Sequence, residues 1–188
     1  MLKSIIISLR ALLLLTVICG IIYPLFITGI AQTFFKSQSG GSLIKQDADI
    51  VGSELIAQPF KKASYFWVRP SAADYATVPS GAANQSFTSK KLQDAVLARA
   101  QAFGKSDLQE VPSDLLLSSG SGLDPHISPE AAFFQLPRVA KARKLTVAEL
   151  QNIVTQSIES PQFGVFGDSR VNVLLLNRIL DTMALTRD

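Results

Sequence analysis

The chain is poor in cysteine, with Cys19 alone among 188 residues. A single thiol excludes an internal disulfide and any cysteine-rich zinc module, and it identifies no redox compartment. Histidine is as scarce, His126 being the only one, and no carboxylate run has the spacing of a calcium loop, so no metal site is expected. A useful surplus of cations is missing too. The formal charge is +3, but Lys3 and Arg10 precede the long apolar segment, leaving sixteen cations against fifteen anions from residue 34 onward. Displacing phosphate counterions needs an excess of Lys and Arg, so no nucleic acid partner is expected. Neither an internal repeat nor a low-complexity tract is present. A chain 47% apolar and 18% charged is also too hydrophobic to remain disordered.

Long apolar runs, by contrast, are present. Between Arg10 and Lys36 no residue carries a formal charge, a stretch of 25 residues from Ala11 to Phe35. As a helix it reaches roughly 37 Å, more than the hydrocarbon core of about 30 Å. Residues 11–31 therefore read as a transmembrane helix, with residues 1–10 as a cytoplasmic N-terminus. Pro24 removes one helix hydrogen bond and predicts a kink, which does not prevent spanning. Lys3, Arg10 and the terminal amine ahead of the span, against Lys36 and Lys45 behind it, orient the N-terminus inside. A cleaved signal peptide is the alternative, but the apolar stretch exceeds the usual core and no small-x-small cleavage site follows. Ile18 also stands where a lipoprotein box before Cys19 needs a small residue.

Residues 32–45 read as a linker around Ser37-Gln-Ser-Gly-Gly-Ser42, and 46–188 as one extracytoplasmic, periplasmic domain. The expected fold class is α+β: one N-terminal transmembrane helix followed by a single mixed α/β extracytoplasmic domain. Ile50–Ala57 and Ala63–Val68 have strand character. A helix is expected from Thr88 or Ser89 to Phe103, with Leu92, Ala95, Val96 and Phe103 inward and Gly104 as its stop. Ser128-Pro129-Glu130 starts another, which Pro137 should bend or divide. Thr146-Val147-Ala148-Glu149 is a capping box ahead of Leu150, Ile153, Val154 and Ile158. A last helix is expected over 171–184, its core face formed by Leu174, Leu175, Ile179 and Met183.

The chemistry that these residues offer is sparse. Gly104-Lys105-Ser106 ends like a phosphate-binding loop, but Arg99 replaces its obligatory first glycine. Ser80-Gly81-Ala82-Ala83-Asn84 is a small-residue loop able to approach a phosphate or a neighbouring protein. Ser121, Asp124 and His126 lie within Gly120-Ser-Gly-Leu-Asp-Pro-His-Ile-Ser-Pro129 and invite a hydrolase reading. A triad, however, needs the base between nucleophile and orienting acid, a line that residues so close in a proline-containing loop rarely form. Ser119 and Leu123 also occupy the glycine positions of G-x-S-x-G. Capping of the next helix by Asp124 or Ser128 is the expected role of this loop. Arg69-Pro70-Ser71 and Gln135-x-x-Arg138 either bond internally or face another subunit.

These segments together resemble the C-subunit (KdpC) family of the bacterial Kdp potassium-transporting ATPase. The resemblance is carried by Gly52-Ser53-x-Leu55-Ile56-x-Gln58-x-Phe60, Tyr65-Phe66-x-x-Arg69-Pro70-Ser71 and the run from Ser119 to Ala132. Gln135-x-x-Arg138-Val139-Ala140-x-Ala142-Arg143 and Arg170-Val171-Asn172-Val173-Leu174-x-Leu176-Asn177 complete it. Ser80-Gly81-Ala82-Ala83-Asn84 departs from the family's S-G-G-S-N-like loop. The resemblance implies a single-pass inner-membrane accessory subunit without catalytic residues of its own. Implied partners are a potassium-selective channel-like subunit, a P-type ATPase subunit and a small membrane peptide. It also implies a catalytic-chaperone role that raises the ATP affinity of the hydrolysing subunit, and ATP contact by this subunit, which an outside domain would not meet. With no intrinsic cofactor expected, ATP belongs to that partner, whereas an outside domain docks on the potassium-selective subunit. The candidate interface residues are Arg69, Ser71, Asn84, Asp124, His126, Gln135 and Arg138. Two other classes remain open: a membrane-anchored hydrolase using Ser121 and His126, and a single-pass sensor, for which the ten residues ahead of the span leave no room for a folded output domain.

Overall fold

A computed structural model describes residues 2–46, 49–105 and 107–185. It divides into two compact units between Ser53 and Glu54. The α+β class expected from the sequence holds.

The first unit is dominated by a continuous helical stretch of 33 residues, Leu2–Phe34, longer than the apolar run alone indicates. It comprises α1 (Leu2–Val17), a π-helical turn (Ile18–Ile22) and α2 (Tyr23–Phe34). No residue in any of these three parts is buried. The wide turn has a local cause. Pro24 has no N–H to donate to Gly20 and its ring crowds that carbonyl, so the preceding turn opens and the Tyr23 N–H bonds to Ile18 O, five residues back. Within residues 32–45, read as linker, lie the short helix α3 (Lys36–Ser39) and β1 (Leu43–Gln46), which pairs antiparallel with β2 (Asp49–Ser53).

The second unit packs five helices and a small sheet around one core. The helices are α4 (Lys90–Ala102), α5 (Ser113–Leu116), α6 (Pro129–Arg143), α7 (Val147–Gln156) and α8 (Val173–Leu185). The sheet has the order β3 (His126–Ile127), β5 (Arg170–Asn172), β4 (Ile158–Glu159), antiparallel throughout. Helix starts follow the chemistry read from sequence. Ser128 Oγ accepts from Ala131 N at 3.0 Å, and Thr146 and Glu149 form the reciprocal capping box. Ser89 occupies the N-cap of α4, but its hydroxyl donates to Gln85 instead of capping. Gly104 follows that helix at φ +71, a left-handed stop. Buried side chains of α6 (Leu136, Val139, Ala140), α7 (Leu150, Val154) and α8 (Val173, Leu176, Leu180) share the core with Phe66, Val68, Leu115, Leu116, Ile127 and Val171.

Four expectations are corrected. Pro137 does not divide α6; it is exposed within a helix continuous from Pro129 to Arg143, where its missing N–H removes one bond. Strand β2 ends at Ser53, short of Ala57, whose N–H bonds to Leu123 O. The inward face of α8 is Val173, Leu176, Asn177 and Leu180 together with Leu174, whereas Leu175 is half-buried and Ile179 is 42% exposed. The helix also starts two residues late, because Arg170–Asn172 forms the central strand and Asn172 Oδ1 then caps α8 by accepting from Leu174 N and Leu175 N.

The fourth correction is the most informative. Ala63–Val68 forms no strand: Ala63 and Ser64 lie in a turn closed by Tyr65 N on Lys62 O at 3.2 Å, and the irregular backbone beyond it pairs with no strand. Side chains of α6 and α8 take its remaining polar groups. Asn177 accepts from Phe66 N at 2.8 Å and donates to Phe66 O at 3.0 Å, while Gln135 accepts from Trp67 N at 2.8 Å and donates to Trp67 O at 3.1 Å. Each carboxamide thus offers one donor and one acceptor, as a neighbouring strand residue would. Arg138 Nη1 donates to Ala63 O and Tyr65 O, and Arg143 Nε to Ser64 O, so five successive carbonyls are taken by side chains.

Replacing Asn177 by Leu conserves volume and leaves the N–H and C=O of buried Phe66 unpaired. A loss of about 2–6 kcal/mol is expected, from roughly 1–3 kcal/mol for each of the two orphaned groups. Urea denaturation of the detergent-solubilised chain, followed through the fluorescence of Trp67, measures it. Exposed Asn152→Leu should stay within about 0.5 kcal/mol of wild type.

Candidate functional site

The glycine-rich loop ahead of β3 is bonded to the irregular stretch 54–89 at three points and to the start of α8. Ser119 N bonds to Pro70 O at 3.1 Å, Leu123 O receives Ala57 N at 2.9 Å, and Pro125 O receives Val173 N at 3.0 Å. Ser80 Oγ donates to Ser121 O. Gly122 is required twice over: its φ is +72, and a Cβ there would lie 2.9 Å from Gly81 O. The Ser80–Asn84 loop is therefore seated on Gly122, with Asn84 itself exposed at φ +51.

At the end of this loop Asp124 organises a polar cluster. Its Oδ1 accepts from His126 N at 3.0 Å and its Oδ2 from Arg69 Nη1 at 3.1 Å. The His126 Nδ1 lies 3.5 Å from Oδ1, an ion pair when the imidazole is protonated. Burial pushes the Asp124 carboxyl up, but the hydrogen bonds from His126 and the charge and hydrogen bond of Arg69 outweigh it and hold it below the ordinary aspartate range. These residues line an open depression of about 530 Å³ that also includes Asp114, Glu130, Asp168 and Arg170. Asp114 is anchored, accepting from Ser128 N at 2.7 Å, and Arg170 pairs with Glu159 at 2.9 Å. A bowl lined by four carboxylates, two guanidiniums and one imidazole offers a hydrophilic contact surface.

This arrangement does not assemble a hydrolase. Ser121 Oγ accepts from Leu123 N at 3.1 Å, closing a turn in its own loop, and among the described residues no hydroxyl is hydrogen-bonded to His126. Nor do the described residues hold a cluster of three His, Cys, Asp or Glu side chains fit for a metal ion. Of the phosphate-loop resemblance, Ser106 lies outside the described residues.

Of the seven candidate contact residues, the structure unites Arg69, Asp124 and His126. Ser71 lies near by in sequence, its hydroxyl accepting from Ala73 N and Tyr75 N, while the Tyr75 hydroxyl donates to Arg69 O. Gln135 and Arg138 form a different cluster, on the Ala63–Val68 segment. Arg138 Nη2 donates to Gln135 Oε1 at 2.6 Å, and its guanidinium lies 3.9 Å from the centre of the Trp67 ring. Burial pulls Arg138 down to about 10, so it remains a cation at neutral pH. Arg143, Asn177, Asp181 and Tyr65 belong to the same network and were not singled out in the sequence. Arg143 bonds Asp181 at 2.8 Å, and Asp181 accepts from the Tyr65 hydroxyl at 3.0 Å. The available signal was Asn177 and Asp181, four apart on an otherwise apolar helix face, since polar groups in such a stripe need partners.

Comparison with known proteins covers nearly the whole chain. A family model described as "KdpC: K+-transporting ATPase, c chain" matches residues 5–182. A potassium-transporting ATPase KdpC subunit from Leptospira interrogans is 52% identical over 94% of this chain and 92% of its own length. Proteins of the same name from Polynucleobacter asymbioticus (47% identical; 89% of this chain, 92% of theirs) and Shewanella putrefaciens (44%; 94% and 90%) are similar as well.

Asp124→Asn removes the charge that pairs with Arg69 and is expected to cost about 1–3 kcal/mol at neutral pH. The sign with pH is fixed by the lowered carboxyl: its contribution is complete above the unfolded value of about 4 and is lost as pH falls through the folded value. Denaturation curves of variant and wild type should therefore converge below about pH 4.

Proposed function

Because the chain belongs to the KdpC family, the c chains of K+-transporting ATPases, we propose that it is a non-catalytic accessory subunit of a bacterial potassium-uptake complex. In this reading the Leu2–Phe34 helix anchors it in the inner membrane as a single span. The N-terminus is cytoplasmic, and the domain beyond the span is periplasmic. Its partners are the potassium-selective channel-like subunit, the P-type ATPase subunit and a small membrane peptide. The observation that carries the reading is the helix itself: 33 residues, rich in apolar side chains, with no buried residue along it. A soluble protein would bury such a surface. Lys3 and Arg10 at its start support the orientation.

The second unit is suited to binding a neighbour. Its arginines, carboxylates and carboxamides hold its own irregular segments in place, Ser121 is used in a turn, and the polar bowl around Asp124 faces solvent. Docked on the outer face of the potassium-selective subunit, the domain stabilises the assembly. ATP binds on the other side of the bilayer, so this subunit raises the ATP affinity of the hydrolysing subunit by conformational coupling. Linkage then requires ATP to strengthen this subunit's association by the same factor.

Two experiments test the reading. A periplasm-dependent alkaline phosphatase fused to the C-terminus should be active in cells; activity of a cytoplasm-dependent reporter there would reverse the orientation. Leu15→Arg, at a cost of about 2.5–3.5 kcal/mol near the bilayer centre, should reduce membrane insertion and co-purification with the other subunits together.

A further inference from the structure

Between β4 and β5 the chain makes a turn that buries almost nothing of itself. Phe163 is 93% exposed, Val165 77% and Phe166 66%. The exposure is not that of a loose loop. Gln162 and Phe166 exchange two backbone hydrogen bonds at 2.9 Å, and Gly164 N and Val165 N close onto Pro161 O and Gln162 O at 3.0 and 3.1 Å. Phe163 and Gly164 are both left-handed, at φ +53 and +74. Such a turn favours Asn or Gly at its first position, and a bulky aromatic there is strained. Inside this chain nothing offsets the strain, because the Phe163 ring is almost wholly in solvent. A rigid turn that holds two phenylalanines and a valine outward has already lost the conformational freedom that binding would otherwise remove.

We propose that Phe163, Val165 and Phe166 form an apolar knob that seats in a hydrophobic pocket rimmed by cations on the outer face of the potassium-selective subunit. The proposal rests on the accessory-subunit reading and names the contact that reading requires. Charge selects the occupant. Residues 160–169 contain Asp168 and no Lys or Arg, and the flanking Glu159 and Arg170 pair with each other, so the turn carries one net negative charge. Aromatic residues that enter an anionic lipid surface are accompanied by cations, which this turn lacks. A two-fold contact through this turn would bring two like-charged flanks into one interface, and a head-to-tail contact would propagate into rings or open chains. A protein pocket with Lys or Arg at its rim fits both the apolar tip and its acidic flank, and exposed aromatic anchors of this kind dominate binding energy.

The test uses the full-length chain co-expressed with the other subunits and purified in detergent through a tag on the potassium-selective subunit. Phe163→Ser/Phe166→Ser should weaken retention at least about tenfold, as loss of aromatic anchors does, with an unchanged melting temperature. Phe163→Gly should leave the melting temperature unchanged or raise it, since glycine adopts a positive φ freely, and still lower retention; a purely structural turn would not separate the two. Phe87→Ser, on a different loop and 89% exposed, should retain full association. With p-benzoylphenylalanine in place of Phe163, photocrosslinking should join this chain to the potassium-selective subunit. Wild-type retention by the double variant, equal loss with Phe87→Ser, or adducts formed only with lipid or a second copy would overturn the proposal alone. A wild-type chain that co-purifies with no other subunit would overturn the accessory-subunit reading and this proposal with it.

Discussion

The second unit depends on supplying an irregular segment that joins no sheet with hydrogen bonds from side chains. Ala63–Val68 carries Phe66 and Val68 into the core, and a buried backbone cannot leave its N–H and C=O groups unpaired. Gln135 and Asn177, fully buried on α6 and α8, each act as the missing strand neighbour, and Arg138 and Arg143 take the carbonyls on the preceding residues. The arrangement ties two helices and an irregular segment together through side chains more than 65 residues apart in sequence. Arg138 Nε is left without a partner, but the network favours one packing of the core, because another packing would strand several further groups at once.

The same economy recurs at the loop before β3. Asp124, Ser128, Asp114 and Asn172 each use short side chains to cap or turn the backbone where elements change, and Gly122 allows the Ser80–Asn84 loop to approach. Polar residues that look catalytic in a list are committed to architecture, and the surface left over is of two kinds. The Asp124 bowl is charged and hydrophilic, whereas the turn after β4 presents an apolar tip on a closed backbone.

The apolar helix poses the opposite problem. In lipid, every backbone group must find its partner within the helix, so Pro24 cannot simply be tolerated. The single π-helical turn before it re-registers the bond from Tyr23 to Ile18, and Thr33 Oγ1 bonds back to Gly29 O at 2.7 Å farther along. The helix therefore crosses its proline without breaking.

Much of this was legible in the chain itself. The membrane helix, the capping box at Thr146, the Ser128-Pro129 start and the Gly104 stop are local, because apolar length, caps and left-handed glycines act within a few residues. What only the tertiary structure decided is everything that depends on distant partners. Ala63–Val68 has the composition of a strand, but whether such a segment joins a sheet depends on what lies beside it, and here it begins in a turn and lies beside helices. The inward face of α8 was misread for the same reason: Leu175 and Ile179 are as apolar as Leu176 and Leu180, and which of them is buried is set by the position of the neighbouring elements. The roles of Gln135, Arg138 and Asn177 likewise became determinate only when folding brought the backbone of residues 63–67 within hydrogen-bond reach. Hydrogen bonds at 2.6–3.1 Å between residues so far apart in the chain leave no local trace in sequence.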